Sequence, residues 1–424
     1  MLVSTLTYNS QRLRLVPQAA VLLAMMLLSC AVDAAPVRTG LEQLVQDDFA
    51  VLRGKRVGLI TNPTGVDREL RSSIDILAKA PGVKLIALFG PEHGLRGDHA
   101  AGDKVQDAID GPTGLPIYSL YGQQRKPTPQ MLANVDALVF DIQDIGVRSY
   151  TFLATLGLVM EAAAEQDKEV IVLDRPNPLG GLRVEGPLLE DARAASFVAP
   201  YPVPYVHGLT LGELARMING ERWLAGGIRA KLTVVPMKGW RRTMRFVDTK
   251  LPWVPTSPHL PQAHVAPLYA ATGIIGELDP NLIGVGYTLP FEVVAAPEVN
   301  AEKLAAAVSA LGIAGLKVRP IYFKPYYMGG AGRLYGGVQL YVDELPAGEL
   351  TLLQFRVLSE MIRLHPQINP FTHNPSRFDM FDKVVGGPSL RAAFAKRWSA
   401  ADIEPLWQTP AHFQERARRY HLYR

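Results

Sequence analysis

The chain is nearly free of cysteine: Cys30 stands alone among 424 residues. That excludes a disulfide framework and any zinc site built on thiolates. Excess charge is also missing, since 44 Lys plus Arg against 40 Asp plus Glu leave a formal net charge of +4. So mild a balance gives no ground for a nucleic-acid partner. Past the N-terminal leader, no apolar run reaches the roughly 18 residues that a membrane helix needs. Nucleotide-binding signatures are absent too. The first apolar run is followed by Thr61-Asn-Pro-Thr-Gly65 instead of Gly-x-Gly-x-x-Gly, and Gly329-Gly-Ala-Gly332 comes too late in the chain. There is no Walker-type loop, no Gly-x-Ser-x-Gly elbow and no His-Glu-x-x-His. No cofactor and no metal are therefore expected.

What is present is a globular composition, 48% hydrophobic and 20% charged, with 37 Gly and 33 Pro scattered along the chain. Disorder, collagen and coiled coil are excluded, and the length suits two or three domains. Residues 1–35 read as an export signal. Arg12 and Arg14 supply the positive region, and a short apolar stretch runs from Ala19 to Leu28. Cleavage near Ala34 would release a soluble periplasmic or secreted protein. The alternative, Leu27-Leu-Ser-Cys30, looks like a lipobox in which Cys30 would carry a lipid anchor.

In the body, Arg56–Ile60, Lys84–Phe89, Ala137–Asp141 and Glu169–Asp174 are apolar runs without alternation, as strands buried on both faces should be. A helical pattern from Tyr150 to Gln166 separates the last two. This texture predicts a doubly wound parallel α/β sheet. Thr210-Leu-Gly-Glu213 reads as a capping box that opens a helix to Asn219. Pro252, Pro255, Pro258 and Pro261 mark a crossing to a second, smaller α+β domain. That domain holds a helix near Ala301–Leu311, strands near Leu316–Phe323 and Gly337–Val342, and a helix from Glu349 to Leu364. The expected layout is a signal over 1–35, a catalytic domain over 36–255 and an auxiliary domain over 256–424.

Polar residues fall at the carboxyl ends of the predicted strands: Asn62, Glu92-His93, Asp141 with Asp144, and Asp174 with Asn177. Parallel strands put those ends on one edge, where open α/β sheets hold their ligands. Glu92, inside Gly90-Pro-Glu-His-Gly94, is the sharpest of them, because a carboxyl in a partly dry crevice can be raised into a proton donor. It could instead pair with Arg96. His93 could orient it or simply complete the turn. The run Asp141-Ile-Gln-Asp144-Ile-Gly-Val-Arg148-Ser-Tyr150 adds two carboxylates, a guanidinium and a phenol. Arg148 and Arg175 could bind a carboxylate bidentately, or serve in structural ion pairs. Glu185 and His207 supply another acid and another imidazole. Glu92, His93, Asp98, His99 and Asp103 lie close together, but their Gly-rich spacing looks like a loop without a fixed ligand face.

With these residues in place, the chain resembles the exo-β-N-acetylmuramidases of NamZ type, glycoside hydrolase family 171. The likeness rests on Gly58-Leu-Ile-Thr-Asn-Pro-Thr-Gly65, Leu88-Phe-Gly-Pro-Glu-His-Gly-Leu-Arg-Gly97, Asp141-Ile-Gln-Asp-Ile-Gly-Val-Arg-Ser-Tyr-Thr151 and Asp174-Arg-Pro-Asn-Pro178. Glu185-Gly-Pro187, His207-Gly-Leu-Thr210-Leu-Gly-Glu213, Ser257-Pro258, Gly336-Gly-Val-Gln339 and Phe381-Asp-Lys383 continue it in order. It implies a Rossmann-like catalytic domain, a smaller C-terminal domain and a cleft between them. It also implies release of N-acetylmuramic acid from the non-reducing end of peptidoglycan fragments, so cell-wall sugars or muropeptides are the expected partners. Glu92 corresponds to the family's leading catalytic glutamate. The lactyl carboxylate of muramic acid would give Arg148 or Arg175 a partner. The chain departs from the family pattern over Gly276–Phe291, where a Ser and an Arg give way to Leu282 or its neighbours and Val285, and at His259, where Asn is usual.

The expected activity is thus an exo-acting glycosidase. Glu92 would protonate the leaving oxygen, and Asp141, or else Asp174, would activate water or attack the sugar. Asn62, Asp144, Arg148, Tyr150, Asp174, Arg175, Asn177, Glu185 and His207 would contact substrate. Two other readings stay open: a non-catalytic cell-wall sugar-binding protein, and a metal-dependent hydrolase using His93, Asp98 and His99.

Overall fold

In the computed structural model, which describes residues 36–97, 107–342, 345–397 and 400–424, the apolar runs of the first half form one sheet. Its strands are β1 (Arg56–Thr61), β2 (Lys84–Gly90), β3 (Ala108–Ile109), β4 (Pro116–Ser119), β5 (Ala137–Asp141), β6 (Glu169–Leu173) and β7 (Lys231–Val235). They lie in the order β3-β4-β2-β1-β5-β6-β7, parallel throughout except for β3 against β4. Ile60 is in register with both Phe89 and Phe140, and Thr61 with Asp141. The carboxyl ends of the central strands therefore finish level on one edge.

Strand alternation sends the two faces to different helices. Leu59, Leu88, Val139 and Ile171 pack with Leu41 and Leu44 of α1 (Gly40–Gln46) and with Ile74 and Leu77 of α2 (Ser73–Ala78). On the other face, Ile60, Phe89, Phe140 and Val172 pack with α3 (Phe152–Glu165) and α4 (Leu211–Gly220). The Thr39 and Thr210 side chains close capping boxes with Glu42 and Glu213 and fix where α1 and α4 begin.

The second half opens with α5 (Val265–Gly276), just after the Pro-rich passage. A three-stranded antiparallel sheet follows, made of β8 (Val293–Pro297), β9 (Lys317–Phe323) and β10 (Tyr335–Tyr341) in the order β8-β10-β9. Gly337 in the middle strand explains part of the Gly-Gly-Val-Gln run, since a Cβ there would stand 2.2 Å from the Val294 carbonyl oxygen. Helices α6 (Ala301–Ala310), α7 (Leu353–Leu364), α8 (Phe378–Val385), α9 (Ser389–Arg397) and α10 (Ala411–Arg418) complete the chain. The helix expected from Glu349 begins at Leu353, after two turns.

One apolar core runs from the α3 and α4 face through α5, α7 and the C-terminal helices, and residues Val37–Arg424 form a single compact unit. Among the described residues no helix is long and apolar enough to cross a membrane. The leader reading over 1–35, with Cys30 and Ala34, lies outside the described residues, as do Asp98, His99 and Asp103.

Candidate active site

Glu92 follows β2 in a tight turn where His93 and Gly94 both take positive φ, 70° and 77°. The turn brings the half-buried Glu92 to the start of α3. Thr151, the residue before that helix, makes no capping bond of its own; its hydroxyl donates to Glu92 Oε2 at 2.7 Å. The Tyr121 phenol, beyond the end of β4, also hydrogen-bonds Glu92, and burial together with the Glu92 charge raises its pKa far enough to keep it protonated. Glu92 therefore sits at the positive end of the α3 dipole and receives two hydroxyl groups.

A second acid, from the other half of the molecule, feels its charge. Glu277, half-buried, is the first residue after α5. Burial raises its carboxyl to about 7; the Arg377 charge opposes that rise and Glu92 adds to it. Arg377 donates from Nε to the Glu277 carbonyl at 2.8 Å, and its Nη2 lies 3.5 Å from Oε2. Asp144, almost fully buried, is likewise pushed up to about 7 by desolvation. Its Oδ2 accepts from Gly146 N at 2.7 Å, while among the described residues Oδ1 has no side-chain hydrogen-bond partner. Tyr150 feels the charge of both Asp144 and Glu92. Its hydroxyl donates to Thr256 Oγ1 at 2.7 Å and also bonds Ser257. Two residues on, burial and then the neighbouring His93 lower the pKa of His259, whose Nε2 is 3.0 Å from the Tyr327 hydroxyl. Glu92, His93, Asp144 and Tyr150 thus come together, joined by Tyr121, Thr151, Glu277 and His259.

The other expected site residues are engaged elsewhere. Asp141 is fully buried and forms a two-pronged ion pair with Arg175, 2.7 Å from Nε and 2.9 Å from Nη2. Strand alternation puts it on the Ala137 and Val139 face, away from α3. Its carboxylate, expected to act as the second catalytic group, is here spent on that ion pair. Arg175 is held by that pair and by Val66 O, beside a cavity of about 20 Å³ that would admit one water and no sugar. Asp174 accepts from Gly212 N and Thr210 Oγ1 at the start of α4 and from the Tyr423 hydroxyl; burial lifts it to about 6. Arg148 is fully buried and donates to the carbonyls of Pro187, Val203, Val384 and Val385. Both Nη groups are spent on those carbonyls and only the buried Nε is without a partner among the described residues, so no two-pronged fork is left for a substrate carboxylate; two of the acceptors are the last carbonyls of α8. Glu185 receives Gly348 N, Thr351 N and the Thr351 hydroxyl. Asn62 pins Thr64, and Asn177 bridges Leu179 N to Leu209 O. Buried His207 accepts from Leu209 N, and burial beside Arg148 lowers it to about 3, so it stays neutral. These polar groups serve loop backbone and ion pairs, with the buried Arg148 Nε and His207 Nε2 unpartnered among the described residues. Among the described residues no three His, Cys, Asp or Glu side chains group to hold a metal.

Tyr121 and Glu277 were not anticipated. Glu277 did carry a signal, because an acid directly after a twelve-residue apolar helix sits at the unfavourable end of the dipole. Tyr121 follows a short strand that the periodicity did not mark.

The N-terminal family model of exo-beta-N-acetylmuramidase NamZ matches residues 57–264, and its C-terminal model matches 267–423. The peptidoglycan beta-N-acetylmuramidase NamZ of Bacillus subtilis (strain 168) is 44% identical over 388 residues, covering 91% of this chain and 91% of the relative. Two crystal structures of DUF1343 family proteins from Bacteroides fragilis NCTC 9343 share the fold. One has a TM-score of 0.87 at 48% identity and the other 0.67 at 32%, each covering 92% of this chain and 99% of its own.

Proposed function

We propose, from the premise that this chain belongs to the exo-beta-N-acetylmuramidase NamZ family, that it removes terminal N-acetylmuramic acid from peptidoglycan fragments with Glu92 and Glu277 as its working carboxyls. The chain is a glycoside hydrolase, and hydrolysis of a glycosidic bond needs one group to give a proton and one to take it. Glu277, held near neutrality by burial, carries the proton for the leaving oxygen. Glu92, receiving the Thr151 and Tyr121 hydroxyls, acts as the carboxylate that draws a proton from water or attacks the sugar. The observation that carries this reading is the Thr151 and Tyr121 hydroxyls gathered on Glu92, whose charge reaches Glu277, while Asp141 and Asp174 are tied up elsewhere.

Arg377, half-exposed beside Glu277, takes over from Arg148 and Arg175 as the cation suited to an acidic sugar. The leader-like residues 1–35 support an exported enzyme that meets cell-wall fragments outside the cytoplasm. Release of muramic acid from a chromogenic muramide tests the proposal. Glu92→Gln should lower kcat by about 10³-fold, within the range for a positioned proton-transfer group, with the melting temperature unchanged. A variant turning over at the wild-type rate would sink it.

A further inference from the structure

The wall of the site beyond His259 is aromatic. The His259 and Tyr327 rings lie 19° from parallel with centroids 6.3 Å apart. Next to them, Tyr326 is 70% exposed, Tyr327 48% and Met328 47%. Three large side chains standing in solvent in succession mark a contact surface more often than chance exposure.

The segment that bears them is braced. Tyr326 N donates to Gly286 O at 2.7 Å, and Gly332 N to Pro325 O at 2.9 Å. Gly330 N donates to Asn281 Oδ1 at 2.9 Å, while Asn281 Nδ2 donates to Val285 O at the same distance. Gly286 has φ of 100°, and a Cβ there would lie 2.7 Å from the Tyr327 carbonyl oxygen, so the two backbones touch. Behind Tyr326 the rings of Tyr287, Phe323 and Tyr335 follow at centroid spacings of 5.6, 4.5 and 5.7 Å, ending in buried Tyr335. A braced aromatic face offers broad amphipathic contact and loses little freedom when it binds. The apolar C–H face of a pyranose is a chemical match for it. The opposite end of the site, at Asp144 and Tyr150, is closed by burial. A terminal sugar therefore belongs at that end, and the rest of the glycan leaves toward the open rim.

We propose that Tyr326 and Tyr327 form a leaving-group subsite that stacks the second sugar ring, an N-acetylhexosamine, of a muramic-acid-terminated glycan. This rests on the reading of Glu92 and Glu277 as the cleavage centre. The test uses the whole protein and two substrates, a muramic-acid-terminated disaccharide and a β-muramyl fluoride, whose leaving group has no ring. The readout is the ratio of kcat/KM on the disaccharide to kcat/KM on the fluoride. Tyr327→Ala should lower that ratio about fivefold, and Tyr326→Ala about threefold, the scale of one aromatic contact. Tyr327→Phe, which keeps the ring and loses the bond to His259, should hold the ratio within about twofold of wild type. Ratios unchanged in both alanine variants would overturn the subsite alone. A wild-type protein that cleaves neither substrate would overturn the cleavage centre, and the subsite with it.

Discussion

Two clusters of acids stand at the same edge of the large sheet and do opposite things. Asp141 ends β5 and Asp174 follows β6; one is saturated by a two-pronged guanidinium and the other by a helix N-terminus and two hydroxyls. Glu92 follows β2, receives two hydroxyl groups and acts through its charge on a second acid, Glu277. Residue type and strand-end position are shared. The difference is whether the fold supplies a matching charge. Where it does, the carboxylate is part of the framework; at Glu277 burial outweighs the Arg377 charge, Glu92 adds to the rise, and the acid titrates near neutral pH.

The contrast breaks most visibly at Asp141. Asp141→Ala leaves Arg175 buried without its partner and should cost about 3–5 kcal/mol of stability, read as a lower urea midpoint, with kcat per folded molecule unaltered. Normal stability with lost turnover would return Asp141 to the chemistry. On the other side of the comparison, Glu277→Gln should lower kcat by about 10²-fold with little change in stability. Because Glu277 holds its proton below about 7, the wild-type rate should decline as pH rises through that value, and the variant should lose that limb. An alkaline limb unchanged in the variant would place the proton donor elsewhere.

Asp144 sharpens the contrast through its pH dependence. Its folded-state value of about 7 lies above the roughly 3.9 of an unfolded chain. The native state therefore keeps a proton that the unfolded state releases. The stability this provides is complete below about pH 4 and is lost as pH rises through about 7. Asp144→Asn should remove that slope, so the stability gap between wild type and variant shifts by about 4 kcal/mol from pH 4 to 8. Parallel urea-unfolding curves across that range would contradict the assignment.

Much of the sheet was legible because β1, β2, β5 and β6 are buried on both faces and carry unbroken apolar runs. β7 lies at the edge, is only half-buried along most of its length, and so gave no such run. The Thr210 capping box marked the start of α4 to the residue. In the site, Glu92 was legible from its Gly-Pro-Glu-His-Gly turn. The Asp141 pairing was not legible, because alternation assigns it a face but nothing in the sequence tells that Arg175 meets it there. Tyr327 and His259 meet across 68 positions, a proximity that no local pattern encodes. The stretch that departs from the family pattern, Gly276–Phe291, holds both Glu277 and the Asn281 and Gly286 braces.

Arg148 has a mechanical consequence. Its guanidinium fastens carbonyls at 187 and 203 to carbonyls at 384 and 385, so the early and late parts of the chain are riveted through a dry joint. Parting them would strand a buried cation, so ligand exchange should proceed without a clamshell motion. The radius of gyration in solution should then be the same with and without sugar bound.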